Sequence, residues 1–244
     1  MRDQFVGDVG DFGKYILLNE LSKMAGGRLR VGINWYYNTA PMPVFRYLYD
    51  REFKTADPQL HGRLKAIVES NNLNLARIEE GSVLPEGFMY YSEEIPHKAA
   101  SPPQREKDRG LWFKKSVESL KTADVVFLDP DNGIPYPVAD NIFKPRIKKS
   151  ERAAIKYAFA DEIRAYYESN KSVIVYNHRD FKDEHVYRRK FECLMDGIKP
   201  SYFGVVRFHR VQVRDYIFLS RQEHSAHIKD LISKIKSKYS NLFE

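Results

Sequence analysis

A single cysteine, Cys193, leaves this chain without a partner for an intramolecular disulfide and without a thiol cluster for a structural zinc. The histidines His61, His97, His185, His224 and His227 show no metal-ligand spacing with acids, so no metal site is expected. Long apolar runs are also missing. None approaches the roughly 20 residues of a membrane-spanning helix, and Met1-Arg-Asp-Gln4 opens no signal-peptide core. A cytoplasmic protein with no membrane partner is expected. There is no internal repeat, which excludes a solenoid or propeller.

What is present is length, basic charge and aromatic surface. The 244 residues suffice for one large α/β domain, and a single domain spanning residues 1–244 is expected. Forty basic residues against thirty-three acidic ones give a net charge of +7, a surplus suited to a polyanion. Sixteen tyrosines and fifteen phenylalanines offer flat faces for unpaired bases. The expected partner is nucleic acid, with DNA the first choice. Oligomeric state is not readable from these features.

The stretch Val125-Val-Phe-Leu-Asp-Pro-Asp-Asn-Gly133 is an unbroken apolar run that stops at two carboxylates, an amide and a glycine. It reads as a central parallel strand buried on both faces. Ligands of open α/β sheets bind beyond the carboxyl ends of such strands, which makes Asp129, Asp131 and Asn132 candidate catalytic residues. A second buried run, Lys171 to Tyr176, likewise ends in polar groups: Asn177, His178, Arg179 and Asp180. His178 joins the catalytic candidates as acid, base or phosphate contact. Asn177 and Arg179 are candidate substrate contacts.

The N-terminal segment places Gly7, Gly10 and Gly13 around Asp8 and Asp11, ahead of a helix carrying Tyr15, Ile16, Leu18 and Leu21. The glycines are read as backbone positions of unusual conformation, and the acids as helix caps that also approach the site. Asp8 and Asp11 are therefore catalytic candidates, and Phe12 and Lys14 substrate-binding ones. Arg28 to Tyr37 reads as the first strand, ending in Asn34, Trp35 and Tyr36, candidate substrate contacts in place of a glycine-rich turn. Val44 to Phe53 and Asp57 to Ser70 read as helices. Residues 92–110 read as a mobile basic loop preceding a helix from Leu111 to Leu120.

Beyond the central strand, Lys144, Arg146, Lys148 and Lys149 form a basic run suited to a phosphodiester backbone. Ser150 is read as the cap of a long helix to Ser169. Asp183 to Met195 reads as a basic helix with Arg188, Arg189 and Lys190 outward, the two arginines again as backbone contacts. Tyr202 to His209 and Asp215 to Ser220 form an antiparallel pair, and Ser225 to Tyr239 a closing amphipathic helix.

This element order resembles the second half of class I methyltransferases, which implies a Rossmann-like, mostly parallel sheet with a C-terminal hairpin and helices on both faces. Phe127-Leu-Asp-Pro-Asp-Asn-Gly133 is similar to the Asp/Asn-Pro-Pro-Tyr strand end of nucleic-acid amino-methyltransferases. Phe5-Val-Gly-Asp-Val-Gly-Asp-Phe-Gly-Lys14 resembles the Ala-Gly-Asn-x-Ala-Asp-x-x-Lys opening of ribosomal-RNA adenine-N6 methyltransferases. Two departures matter. No glycine-rich cofactor loop follows the first strand, and Asp131 and Asn132 replace the second proline and the base-stacking aromatic.

The Asp-Pro strand end also resembles the Gln-Asp-Pro-Tyr-His-Gly segment of uracil-DNA glycosylases, where the aspartate positions water. Together these resemblances imply a cofactor-free DNA glycosylase, of an antiviral kind that flips and removes modified phage bases. An amino-methyltransferase with an atypical S-adenosylmethionine site, a metal-dependent nuclease and a non-catalytic nucleic-acid-binding protein are the alternatives.

Overall fold

The computed structural model describes residues 1–39, 51–81 and 83–244. Its elements are α1 (Val9–Ser22), β1 (Val31–Asn34), α2 (Arg51–Ala56), α3 (Pro58–Glu69), α4 (Ala76–Glu79), β2 (Met89–Tyr91), α5 (Pro102–Ser119), β3 (Val125–Leu128), β4 (Pro137–Val138), β5 (Asn141–Pro145), α6 (Ala160–Glu168), β6 (Ser172–His178), α7 (Glu184–Ile198), β7 (Tyr202–Phe208), β8 (Arg214–Ser220) and α8 (Ser225–Lys238). Most of the helix expected from Val44 lies outside the described residues.

The main sheet has six strands in the order β2-β1-β3-β6-β8-β7, with β4 and β5 forming a separate hairpin. Strands β2, β1, β3 and β6 are parallel, whereas β8 runs antiparallel to both β6 and β7. This is a Rossmann-like mixed sheet with a parallel core, as expected. Side-chain alternation along each strand splits the core into two layers. Val125, Phe127, Ile174 and Tyr176 face the apolar sides of α1, α3 and α8, while Val126, Leu128, Val173 and Val175 face α5, α6 and α7. Every residue of β1 and β3 is buried, so the chain can become polar only where these strands end.

Several boundaries depart from the sequence reading. The loop expected over residues 92–110 turns helical at Pro102, where Ser101 caps the first turn and Pro102 and Pro103 occupy it. The periodicity was masked because the inward positions of α5 are Arg105, Arg109, Trp112 and Ser116. Arg109 is buried against Phe159 and grips both oxygens of Glu162 at 2.7 and 2.9 Å. No long helix starts at Ser150. A short 3-10 turn at Arg152–Lys156 comes first, and α6 begins at Ala160. On α7 the inward set is Tyr187, Lys190, Phe191, Cys193 and Leu194, so Lys190 is buried rather than outward. No described helix is long and apolar enough to cross a membrane.

Candidate functional site

Four segments far apart in sequence meet at the carboxyl end of the parallel core and enclose a cavity of about 220 Å³. They are the start of α1, the turn after β3, the end of β6 and the β7–β8 connection. Asp8, Asp11, Lys14, Asp129, Asp131, Asn132 and His178 all line it, joined by Tyr176, Gln212 and Arg214. The catalytic candidates of the sequence are thus brought together around one space.

Local chemistry explains the wall formed by α1. Asp8 caps the helix by accepting from the Asp11 backbone N–H at 2.8 Å. Of the three glycines only Gly7 has a positive φ, 78°. Gly10 and Gly13 are ordinary helical residues that allow close approach instead: a Cβ on Gly10 would lie 2.6 Å from Arg214 Nε, and one on Gly13 would lie 2.7 Å from the Phe208 ring. Arg214 can therefore lie flat on the helix beside Asp8, from whose carboxylate it is 3.9 Å.

At the floor Lys14 Nζ donates to Asp11 Oδ1 at 2.9 Å and to Asp129 Oδ2 at 2.7 Å, all three groups being buried. Asp11 also accepts from the Gly7 backbone N–H and from Tyr15 Oη. The two carboxylates share the Lys14 ammonium, and the Met1 amine adds a further pull on Asp129. Burial nonetheless pushes the Asp11 and Asp129 carboxyls above their usual range, against the pull of Lys14. Burial also works against the Lys14 charge, but the two carboxylates outweigh it and hold the ammonium above its ordinary value.

Asp131 sits in the opposite environment. Its carboxylate meets Arg2 at 2.7 Å and the Met1 amine at 3.4 Å, and accepts from Asn38 at 3.1 Å. Burial is outweighed by those two positive charges, so this carboxyl lies below the usual range. At the mouth, burial and the neighbouring Arg214 push the His178 imidazole below its ordinary value, which keeps it neutral near pH 7. Two carboxyls raised and one lowered within one cavity is the division from which acid and base roles are built.

No protein-family model matches this chain, and no curated protein does. The site must therefore be read from its own geometry.

The remaining predicted contacts lie elsewhere. Phe12 is core, edge-on to Phe53 at 5.1 Å. Asn34 hydrogen-bonds the Tyr166 hydroxyl, the Trp35 indole N–H donates to Glu79, and the Tyr36 hydroxyl donates to Glu162. All three are fully buried, so none of them is open to a ligand. Asn177 is a latch: its Oδ1 accepts from the Ile134 N–H and its Nδ2 donates to Tyr187. Gly133, at φ 91°, allows that latch, since a Cβ there would lie 2.2 Å from Asn177 Oδ1. Arg179 stacks on Tyr187 at 4.2 Å.

Of the basic residues, Arg146 from the segment after β5 joins Arg188 and Arg189 of α7 in an open groove of about 510 Å³. Lys149 pairs with Asp161 and Glu162, and Lys144 and Lys148 are exposed outside the cavity. Among the described residues no group of three or more His, Cys, Asp or Glu side chains is placed to hold a metal ion.

Sequence reasoning missed Arg214, Tyr176 and Arg2. Arg214 had a readable signal, because it opens a run that is otherwise almost wholly apolar, Tyr216 to Leu219. Arg2 had none.

Proposed function

We propose that this cavity is the active site of a nucleic-acid hydrolase, a DNA glycosylase that cleaves the bond between a base and its sugar and leaves an abasic site. The observation carrying the proposal is the buried Asp11–Lys14–Asp129 cluster at the floor of a cavity with room for one flipped base. Its 220 Å³ falls below the roughly 300–1,000 Å³ of pockets that take drug-sized ligands. A single ring suits it.

In the reaction the bond from sugar C1′ to the base nitrogen breaks, and the oxygen of a water forms a new bond to C1′. The departing base takes a proton, and the attacking water gives one up. The Asp11–Asp129 pair, with its raised proton affinity, supplies the proton to the base. Asp8, only partly buried and fixed by its capping bond, orients the water and accepts its proton. The carboxylates facing the sugar stabilise the positive charge that develops there. Neutral His178 and Arg214 hold the edge of the base, while Arg146, Arg188 and Arg189 offer contacts for the backbone.

The test is to incubate the purified protein with phage DNA containing modified bases, with no added cofactor, and then treat with alkali. Strand scission is expected, and Asp129→Asn should abolish it. Strands that survive alkali intact would refute the proposal.

A further inference from the structure

Phe181 lies in the connection between β6 and α7, three residues beyond His178 of the cavity wall, and its side chain is 109% exposed. The backbone carrying it is nonetheless held on several sides. Asp180 Oδ1 accepts from the Tyr136 hydroxyl at 2.8 Å and from the Lys182 N–H at 3.1 Å, and Arg179 donates to the Lys182 carbonyl at 2.8 Å. A tightly tied loop thus presents an aromatic ring outward, fully exposed. Display of this kind is a feature of a recognition element, because the ordering is already complete before a partner arrives.

A second exposed apolar residue belongs to the cavity wall itself. Val211 lines the cavity from the β7–β8 connection and is 53% exposed, and its φ is 59°, a conformation that β-branched residues adopt only under strain. The two loops are joined by the Arg179 N–H donating to the Val213 carbonyl at 2.9 Å. Exposed Lys182 adjoins Phe181 in the chain, and Arg214 lines the cavity together with Val211. Two exposed apolar residues on joined loops, one lining a base-sized cavity and the other three residues beyond its wall with exposed Lys182 next to it, have the chemistry of side chains that enter a base stack while a phosphate is held nearby.

We propose that Phe181 is the wedge that enters the base stack of duplex DNA and fills the place of the nucleotide that turns into the cavity. This rests on the reading of the cavity as a base pocket. Phe181 is a positioning residue, since it replaces the departed base rather than touching the bond that breaks. Aromatic stacking of this type is sequence-tolerant, so the wedge adds penetration of the duplex, and the choice of base stays with the cavity.

The test uses a duplex carrying 2-aminopurine, whose fluorescence rises when it unstacks, with polarisation of a labelled strand reporting binding and alkali scission reporting chemistry. Wild-type protein at saturation should raise the fluorescence. Phe181→Ser should lose that rise, and its duplex-to-single-strand ratio of scission should fall by about tenfold or more, the scale of one base–aromatic stack. Phe181→Trp should restore both. An equal rise in wild type and Phe181→Ser, or binding by wild type with no rise, overturns the wedge. Alkali scission persisting in either of those cases leaves the glycosylase reading standing. A Phe181-dependent rise without scission supports the wedge and overturns glycosidic chemistry. Absence of any binding overturns both.

Discussion

Removing the Lys14 ammonium while keeping its bulk, as in Lys14→Met, leaves Asp11 and Asp129 facing one another in a buried space with nothing between them. In the native chain that ammonium makes charge-assisted bonds of 2.9 and 2.7 Å and lies 5.5 Å from the centre of the Trp35 ring. Breaking a buried pair by deleting one partner costs about 3–5 kcal/mol, chiefly because an uncompensated charge remains. The expected loss near neutral pH is of that order. The sign of its pH dependence follows from the carboxyls. Their proton affinities are already raised by burial, and losing Lys14 raises them further. A carboxyl raised in the folded state contributes stability that is complete below its unfolded value and lost as pH rises through the folded one. The variant should therefore regain stability relative to wild type as pH falls, by about 1.4 kcal/mol per pH unit for each extra proton its folded form binds. Urea unfolding of both proteins near pH 8 and near pH 5 measures this, and the double variant Lys14→Met/Asp129→Asn should be closer to wild type than Lys14→Met alone. A deficit equal at the two pH values would refute the coupling, as would a double variant less stable than the single one.

Three further outcomes are expected. Asp8→Asn keeps a capping oxygen but loses the base, so scission should fall by about 10²–10⁴-fold with little change in thermal stability. Val211→Gly relieves a left-handed valine, and a calorimetric scan should show a gain of about 1 kcal/mol. Lys190, buried among Tyr136, Tyr187 and Phe191, is pushed down to about 8 by burial. Between that value and its ordinary one the unfolded chain binds more protons, so native stability rises with pH across the window. Lys190→Met should thus exceed wild type in denaturant midpoint near pH 7, with the advantage shrinking toward about pH 10.

Buried strands that end in polar groups were the most legible part of the fold. Val125–Leu128 and Ser172–His178 carry continuous apolar runs whose interruption marks both the strand end and the cavity wall. The meeting of Asp8 and Asp11 with Asp129 was readable because capping residues and strand-end acids are short-range signals of position. What remained hidden was charge that faces inward. Arg105 and Arg109 on α5 and Lys190 on α7 occupy buried helical positions, and a basic residue in sequence looks like surface until its partner is known. Glu162, which Arg109 grips, lies 53 residues away. The roles of Asn34, Trp35 and Tyr36 were obscured for a related reason, since aromatic and amide groups serve core hydrogen bonds as readily as they serve a ligand.

The place of β8 between β6 and β7 carries a consequence for biosynthesis. Arg214 and the neighbouring residues that close the cavity reach it only after β8 has paired with β6, which happens after β1, β3 and β6 have left the ribosome. A nascent chain stopped before Arg214 lacks that guanidinium, which the full chain lays on α1 as part of the cavity wall. The cavity is therefore complete only when synthesis is well advanced.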